Sequence, residues 1–150
     1  MEQQTDKSLT ECRAKALGML DQIGRKSGVS LASLGEAERW LMLSLAAMSL
    51  SPGQEYSETQ VNEALIAWLQ AGEGLLRIDH VELRRTLIDF GLWLRRDGGR
   101  AYKLSSPQTD PRFAPVIAAF CMDDGKVLIS QHRKRALQAR EARKTARLAQ

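Results

Sequence analysis

The chain has 150 residues, 43% hydrophobic and 27% charged, with a net charge of +4. That is room for one packed domain of ordinary size, or a smaller one with helical extensions. Cys12 and Cys121 stand alone, without CxxC spacing or a histidine close by, which fits a reducing compartment better than a disulfide scaffold. The opening MEQQTDKSLTE is polar and acidic and does not read as a signal peptide, and the longest apolar run, Trp40 to Leu50, is too short to span a bilayer. A soluble, cytoplasmic protein with no membrane partner is the expectation.

The net charge hides an asymmetry. Residues 131–150 carry seven basic groups against one acid, Glu141, and Val81 to Leu104 carry six against three. Glu36 to His80 is acidic, with seven acids and two arginines. An acidic flank beside a basic patch argues against indiscriminate affinity for nucleic acid.

In chain order, Ser8 with Glu11 three residues on reads as a capping box, opening a helix to about Lys26 with Gly28 as its stop. Leu9, Cys12, Ala16, Met19, Leu20 and Ile23 form its apolar stripe. Glu36 to Met48 is apolar almost all round, the pattern of a buried helix. Pro52-Gly53 breaks the pattern, and Ser57 with Gln60 caps the next helix, whose inner face is Val61, Leu65, Trp68 and Leu69. Asp79 with Glu82 caps a helix over 79–90 that stops at Gly91. Two short β-prone runs then flank Asp97-Gly98, where glycine supplies the positive φ of a hairpin turn.

Helix, helix, turn, helix, hairpin is the order of a winged helix-turn-helix. The predicted fold is therefore mainly α with a small β-hairpin. A winged-helix domain over 36–104 is expected between an N-terminal helix and linker (1–35) and a connector with a basic, helical tail (105–150). The segment 113–130 is ambiguous between a hairpin at Asp124-Gly125 and helix on both sides of Asp123-Asp124; helix is favoured. The tail reads as a solvated helix or a flexible arm. A phosphate-binding or dimerisation role is the alternative.

On a wheel of 3.6 residues per turn, Leu83, Leu87 and Phe90 share the face directed at the core. Val81 and Ile88 lie nearly opposite, bracketed by Arg84 and Arg85. Such a face suits a major groove, where arginine reaches guanine O6 and N7 and small apolar groups meet thymine methyls. Arg95, Arg96, Arg100 and Lys103 on the hairpin would then approach phosphates. The plain alternative is that a neighbouring helix or second subunit covers Val81 and Ile88, while the arginines pair with Asp79, Glu82 or Asp89, contacts worth little at a surface.

Tyr56, Ser57, Val61 and Asn62, followed by Asp79, Leu83, Arg84, Arg85, Leu87, Ile88 and Asp89, then Arg95 or Arg96, Gly98 or Gly99, and Tyr102, resemble the pattern of the bacterial domain-of-unknown-function family 2087. The resemblance covers roughly Glu36 to Leu104. It implies a winged-helix-like module of the kind attached to transcriptional regulators, and it implies no established activity. The link AGEGLLRI between the second and third helices is longer and less polar than the family's.

Catalytic chemistry finds little support. His80 reads as a neighbour of the helix cap and His132 as part of the basic tail. No HExxH, CxxC, GxSxG or phosphate-binding glycine loop occurs. Asn62 reads as an outer-face residue or, by preference, a tie to the neighbouring loop. No enzyme activity, metal or cofactor is expected. The leading expectation is a homodimeric transcriptional regulator that binds double-stranded DNA; the alternative is a protein-interaction module of the same fold.

Overall fold

The computed structural model describes residues 2–96, 98, 100–106 and 110–149. Among them the chain is mainly helical with a small antiparallel sheet, as its sequence predicts. The elements run α1 (Glu2–Ile23), α2 (Glu36–Ala47), β1 (Glu55–Tyr56), α3 (Glu58–Ala71), α4 (His80–Asp89), β2 (Trp93–Arg96), β3 (Ala101–Leu104), α5 (Ala114–Phe120) and α6 (Gly125–Leu148). The sheet order is β1-β3-β2.

Helix α1 begins six residues before Ser8, so the Ser8–Glu11 pair lies inside the helix and caps nothing. Residues 2–7 are already helical, and a capping pattern starts a helix only where the preceding residues leave helical geometry. Thr10 accordingly bonds back to the Asp6 carbonyl at 2.8 Å, an intrahelical pattern. The helix also stops earlier than expected, at Ile23. Ala16, Leu20 and Ile23 are buried, as the stripe predicts. Beyond the stop, the amides of Gly28 and Val29 donate to the Gly74 and Leu75 carbonyls, and Arg77 donates to Val29, each at 2.9 Å. These bonds fasten the linker to the turn between α3 and α4.

Helix α2 is buried continuously from Trp40 to Ala47, the environment its all-round apolar sequence requires. The indole of Trp93 donates to the Ala47 carbonyl at 3.0 Å, joining β2 to the end of α2. Helix α3 carries the full capping box: Gln60 N–H donates to Ser57 Oγ at 3.2 Å, and Ser57 N–H donates to Gln60 Oε1 at 2.8 Å. Helix α4 is capped by Asp79 Oδ1, which accepts from Glu82 N–H at 2.8 Å.

Strand β1 adds to the hairpin that the sequence predicts. It pairs with β3 at Glu55↔Lys103 and Tyr56↔Tyr102, and two residues are too few to show alternation in a sequence. The hairpin is as expected in kind. Trp93↔Leu104 through Arg96↔Ala101 pair in register, and Gly98 between the two strands has φ 66°. Asp97 and Gly99 of the expected turn lie outside the described residues.

Helices α5 and α6 flank Asp123-Asp124, so the hairpin alternative for 113–130 falls. Asp124 Oδ1 accepts from Lys126 and Val127 N–H at 2.9 and 3.4 Å, the N-cap that makes this a helix start. A Cβ on Gly125 would stand 3.0 Å from the Leu45 carbonyl, so glycine lets α6 approach the end of α2. One cluster of buried side chains runs through α1, α2, α3, α4, the sheet, α5 and the first half of α6. Each large apolar side chain in it contributes about 1.5–3 kcal/mol by leaving water.

Candidate nucleic-acid interface

Helix α4 and the β2–β3 hairpin bring together the residues singled out in the sequence, and the structure divides them. Leu83 and Leu87 are fully buried, as the wheel predicts. Phe90 is not in the core: it is 36% exposed and lies edge-on to Trp40, with ring centroids 5.4 Å apart. It is the C-cap of α4, where the chain turns away, so the core position passes to Leu92. The Leu92 amide returns to the Leu87 carbonyl at 2.9 Å.

Val81 and Ile88 are half-buried, and Ile88 packs against the core. Arg84 departs most from expectation. The wheel sets it on the outward face with Arg85, yet only 14% of its side chain is exposed. Its Nη1 donates to Asn62 Oδ1 at 2.6 Å and to Glu58 Oε1 at 3.1 Å, and its guanidinium lies 5.8 Å from the Tyr102 ring centre. The wheel places Arg84 beside Val81 and Ile88 but cannot tell that α3 crosses that side. Asn62 therefore ties two helices rather than a loop, and Arg84 joins α3, α4 and β3.

Arg85 is exposed and has no ion pair among the described residues. Glu82 and Asp89, also exposed, lie one turn before and after it. On the hairpin, Arg95 is exposed and donates to the Gly98 carbonyl at 3.2 Å, which braces the turn. Arg96 on β2 pairs with Glu55 on β1 at 3.1 Å, spanning the central strand β3. Arg100 is exposed and Lys103 half-buried.

The basic tail divides as well. Only residues 138–149 have the uniform exposure of a solvated helix. Leu128, Ile129, His132 and Arg133 are buried. His132 Nδ1 lies 2.6 Å from Asp21 Oδ1 on α1. Arg133, 3% exposed, fills a cage of main-chain oxygens. It donates to the carbonyls of Gly24 (2.9 Å), Lys26 and Glu73 (3.1 and 3.3 Å) and to Ser27 Oγ (2.8 Å). Burial pushes the Arg133 guanidinium below its usual value, with Glu73 opposing and Arg140 reinforcing the shift. Arginine stays charged regardless. Sequence reasoning missed this anchor because Arg133 sits in a run of cations. The signal available was the spacing of Leu128, Ile129 and His132, which marks a packed face.

The segment from Leu34 to Leu104, just under half of the chain, is the part that resembles a known family. Residues 34–104 match the model of DUF2087, described as an uncharacterized protein conserved in bacteria. No curated protein and no solved structure matches the chain. Within the DUF2087 segment, most positions that carry the resemblance have a structural task. Ser57 and Asp79 cap helices, and Val61, Leu83, Leu87 and Tyr102 are buried. Asn62 holds Arg84, and the Tyr56 hydroxyl accepts from Ser51 N–H at 2.9 Å. Arg85, Asp89 and Arg95 are left facing solvent. Among the described residues no group of His, Cys, Asp and Glu is arranged to hold a metal ion, and no helix is long and apolar enough to cross a membrane.

Proposed function

We propose that the protein is a winged-helix transcriptional regulator that binds duplex DNA as a homodimer and carries out no catalysis. The observation that carries this reading is the run α2-β1-α3-α4-β2-β3 with sheet order β1-β3-β2. That is the element order of a winged helix-turn-helix, in which the second helix of the pair enters a groove. Here that helix is α4, which offers Arg85 to base edges, with Val81 beside it. The hairpin offers Arg95 and Arg100 to phosphates, with Arg96 on its outer strand and Lys103 on the central one. Arg84 and Ile88 are assigned to the fold.

Duplex binding is tested by fluorescence anisotropy of the full chain against a random duplex library at several salt concentrations. Binding that weakens linearly in log salt is expected. A second reading rests on one observation: Glu82 and Asp89 flank Arg85, while Phe90 and Leu94 are exposed at 36% and 46%. Acidic and apolar groups of this kind suit a protein partner. If a folded sample binds no duplex at about 50 mM salt, where phosphate contacts are strong, the interaction-module reading takes its place.

A further inference from the structure

The face of α6 that docks on the body changes character where the helix leaves it. Ile129, Arg133, Ala136 and Leu137 are buried or half-buried and lie on one stripe. Continuing that stripe at 7, 10, 11 and 14 residues beyond Arg133 gives Arg140, Arg143, Lys144 and Arg147. At 3.6 residues per turn these four cations fall within about 100° of one another. All four are exposed, and the described tail beyond residue 137 has Glu141 as its one acid. The opposite side of the same turns is neutral: Gln138, Ala142, Thr145 and Ala149.

The overhang is helical through Leu148 and is held at its root. Arg133 is locked to the Gly24, Lys26 and Glu73 carbonyls, and His132 contacts Asp21. The cations therefore continue the face by which α6 docks, beyond the point where the helix leaves the body. Charge spread evenly around a helix would solubilise it. Charge gathered on one fixed face creates a directional field suited to a polyanion.

From this we infer that residues 138–149 form a fixed arm that lays Arg140, Arg143, Lys144 and Arg147 along one phosphate strand of a duplex. The inference rests on the DNA-binding reading and adds a second contact region to α4 and the hairpin. The stripe spans about 10 Å at 1.5 Å per residue. That length is enough to reach more than one phosphate of the same strand.

The test compares three full-length proteins by duplex anisotropy across salt. The first is the natural sequence. The second replaces all four cations by Ala. The third is the second with Gln138→Arg, Ala142→Arg, Thr145→Arg and Ala149→Arg added, which restores the charge on the opposite face. All these sites are solvent-exposed, so circular dichroism should find each variant folded. The four-Ala variant should flatten the slope of log K against log salt by about 0.9 per lost contact, with sequence preference unchanged. The rotated variant should fail to restore the slope. Full restoration by the rotated variant, or an unchanged slope in the four-Ala variant, overturns the arm while leaving duplex binding standing. Absence of duplex binding by the natural sequence overturns the arm together with the reading beneath it.

Discussion

Arg133 on α6 donates from both Nε and Nη2 to the carbonyl of Glu73, at 3.3 and 3.1 Å. Among the described residues Glu73 alone, apart from glycines, has a positive φ, at 45°. A left-handed backbone costs a non-glycine residue about 1 kcal/mol or more, and here a buried guanidinium holds the carbonyl that this conformation presents. The same guanidinium closes the stretch after α1 through Gly24 and Lys26. One side chain of the tail therefore fixes the turn that leads into α4.

Arg133→Met should destabilise the protein by about 3 kcal/mol or more, because it leaves several buried carbonyls without donors at once. Arg133→Lys should recover only part of this, since an ammonium cannot reproduce the planar fork. Urea denaturation measures both. Equal stability of the lysine variant and the natural protein would remove the fork from the argument.

Arg84 and Asn62 should behave as a coupled pair. Each Ala substitution should cost about 1–3 kcal/mol, and the double variant should cost less than the sum by 0.5 kcal/mol or more. Strict additivity in a double-mutant cycle would mean that the 2.6 Å contact contributes nothing specific.

This pair marks the limit of what the sequence reveals. Caps are local, so Ser57–Gln60 and Asp79–Glu82 are legible as written, and so is the hairpin around Gly98. The wheel separates Leu83 and Leu87 from the other faces, because helical period alone sorts sides. It cannot say which element crosses Arg84, since Asn62 is 22 residues away in sequence. Strand β1 is hidden for the same reason: Glu55 and Tyr56 become a strand only by pairing with residues 102 and 103. Arg133 is hidden by its neighbours, since in a run of like charges only packing distinguishes an anchor from a solvated cation.

Leu20→Asp should cost about 3 kcal/mol or more, because Leu20 is 2% exposed where α1 meets the core. An unchanged melting temperature would mean that α1 does not dock.

Gly98→Pro should loosen the hairpin and leave the helices intact. Proline fixes φ near −65°, whereas Gly98 stands at +66°. Amide exchange should quicken across Trp93–Arg96 and Ala101–Leu104 while α2 keeps its protection. Unchanged protection in the strands would show that the turn tolerates the substitution.

Arg85 is the residue that tests the proposed base recognition. With Arg84 engaged by Asn62 and Glu58, it is the exposed arginine left on α4. Glu82 and Asp89, one turn away on either side, repel a phosphate backbone, so Arg85 gains most by entering a groove and reaching a base edge. Arg85→Ala should then weaken binding to a selected site by about 1–3 kcal/mol and relax preference at one position. Arg100→Ala should weaken all duplexes alike and flatten the salt slope by about 0.9. Glu82→Gln, which removes a repulsion, should tighten binding to every sequence. Selection from a random library with each variant measures all three. If Arg85→Ala keeps the full sequence preference, α4 does not read bases in the manner proposed.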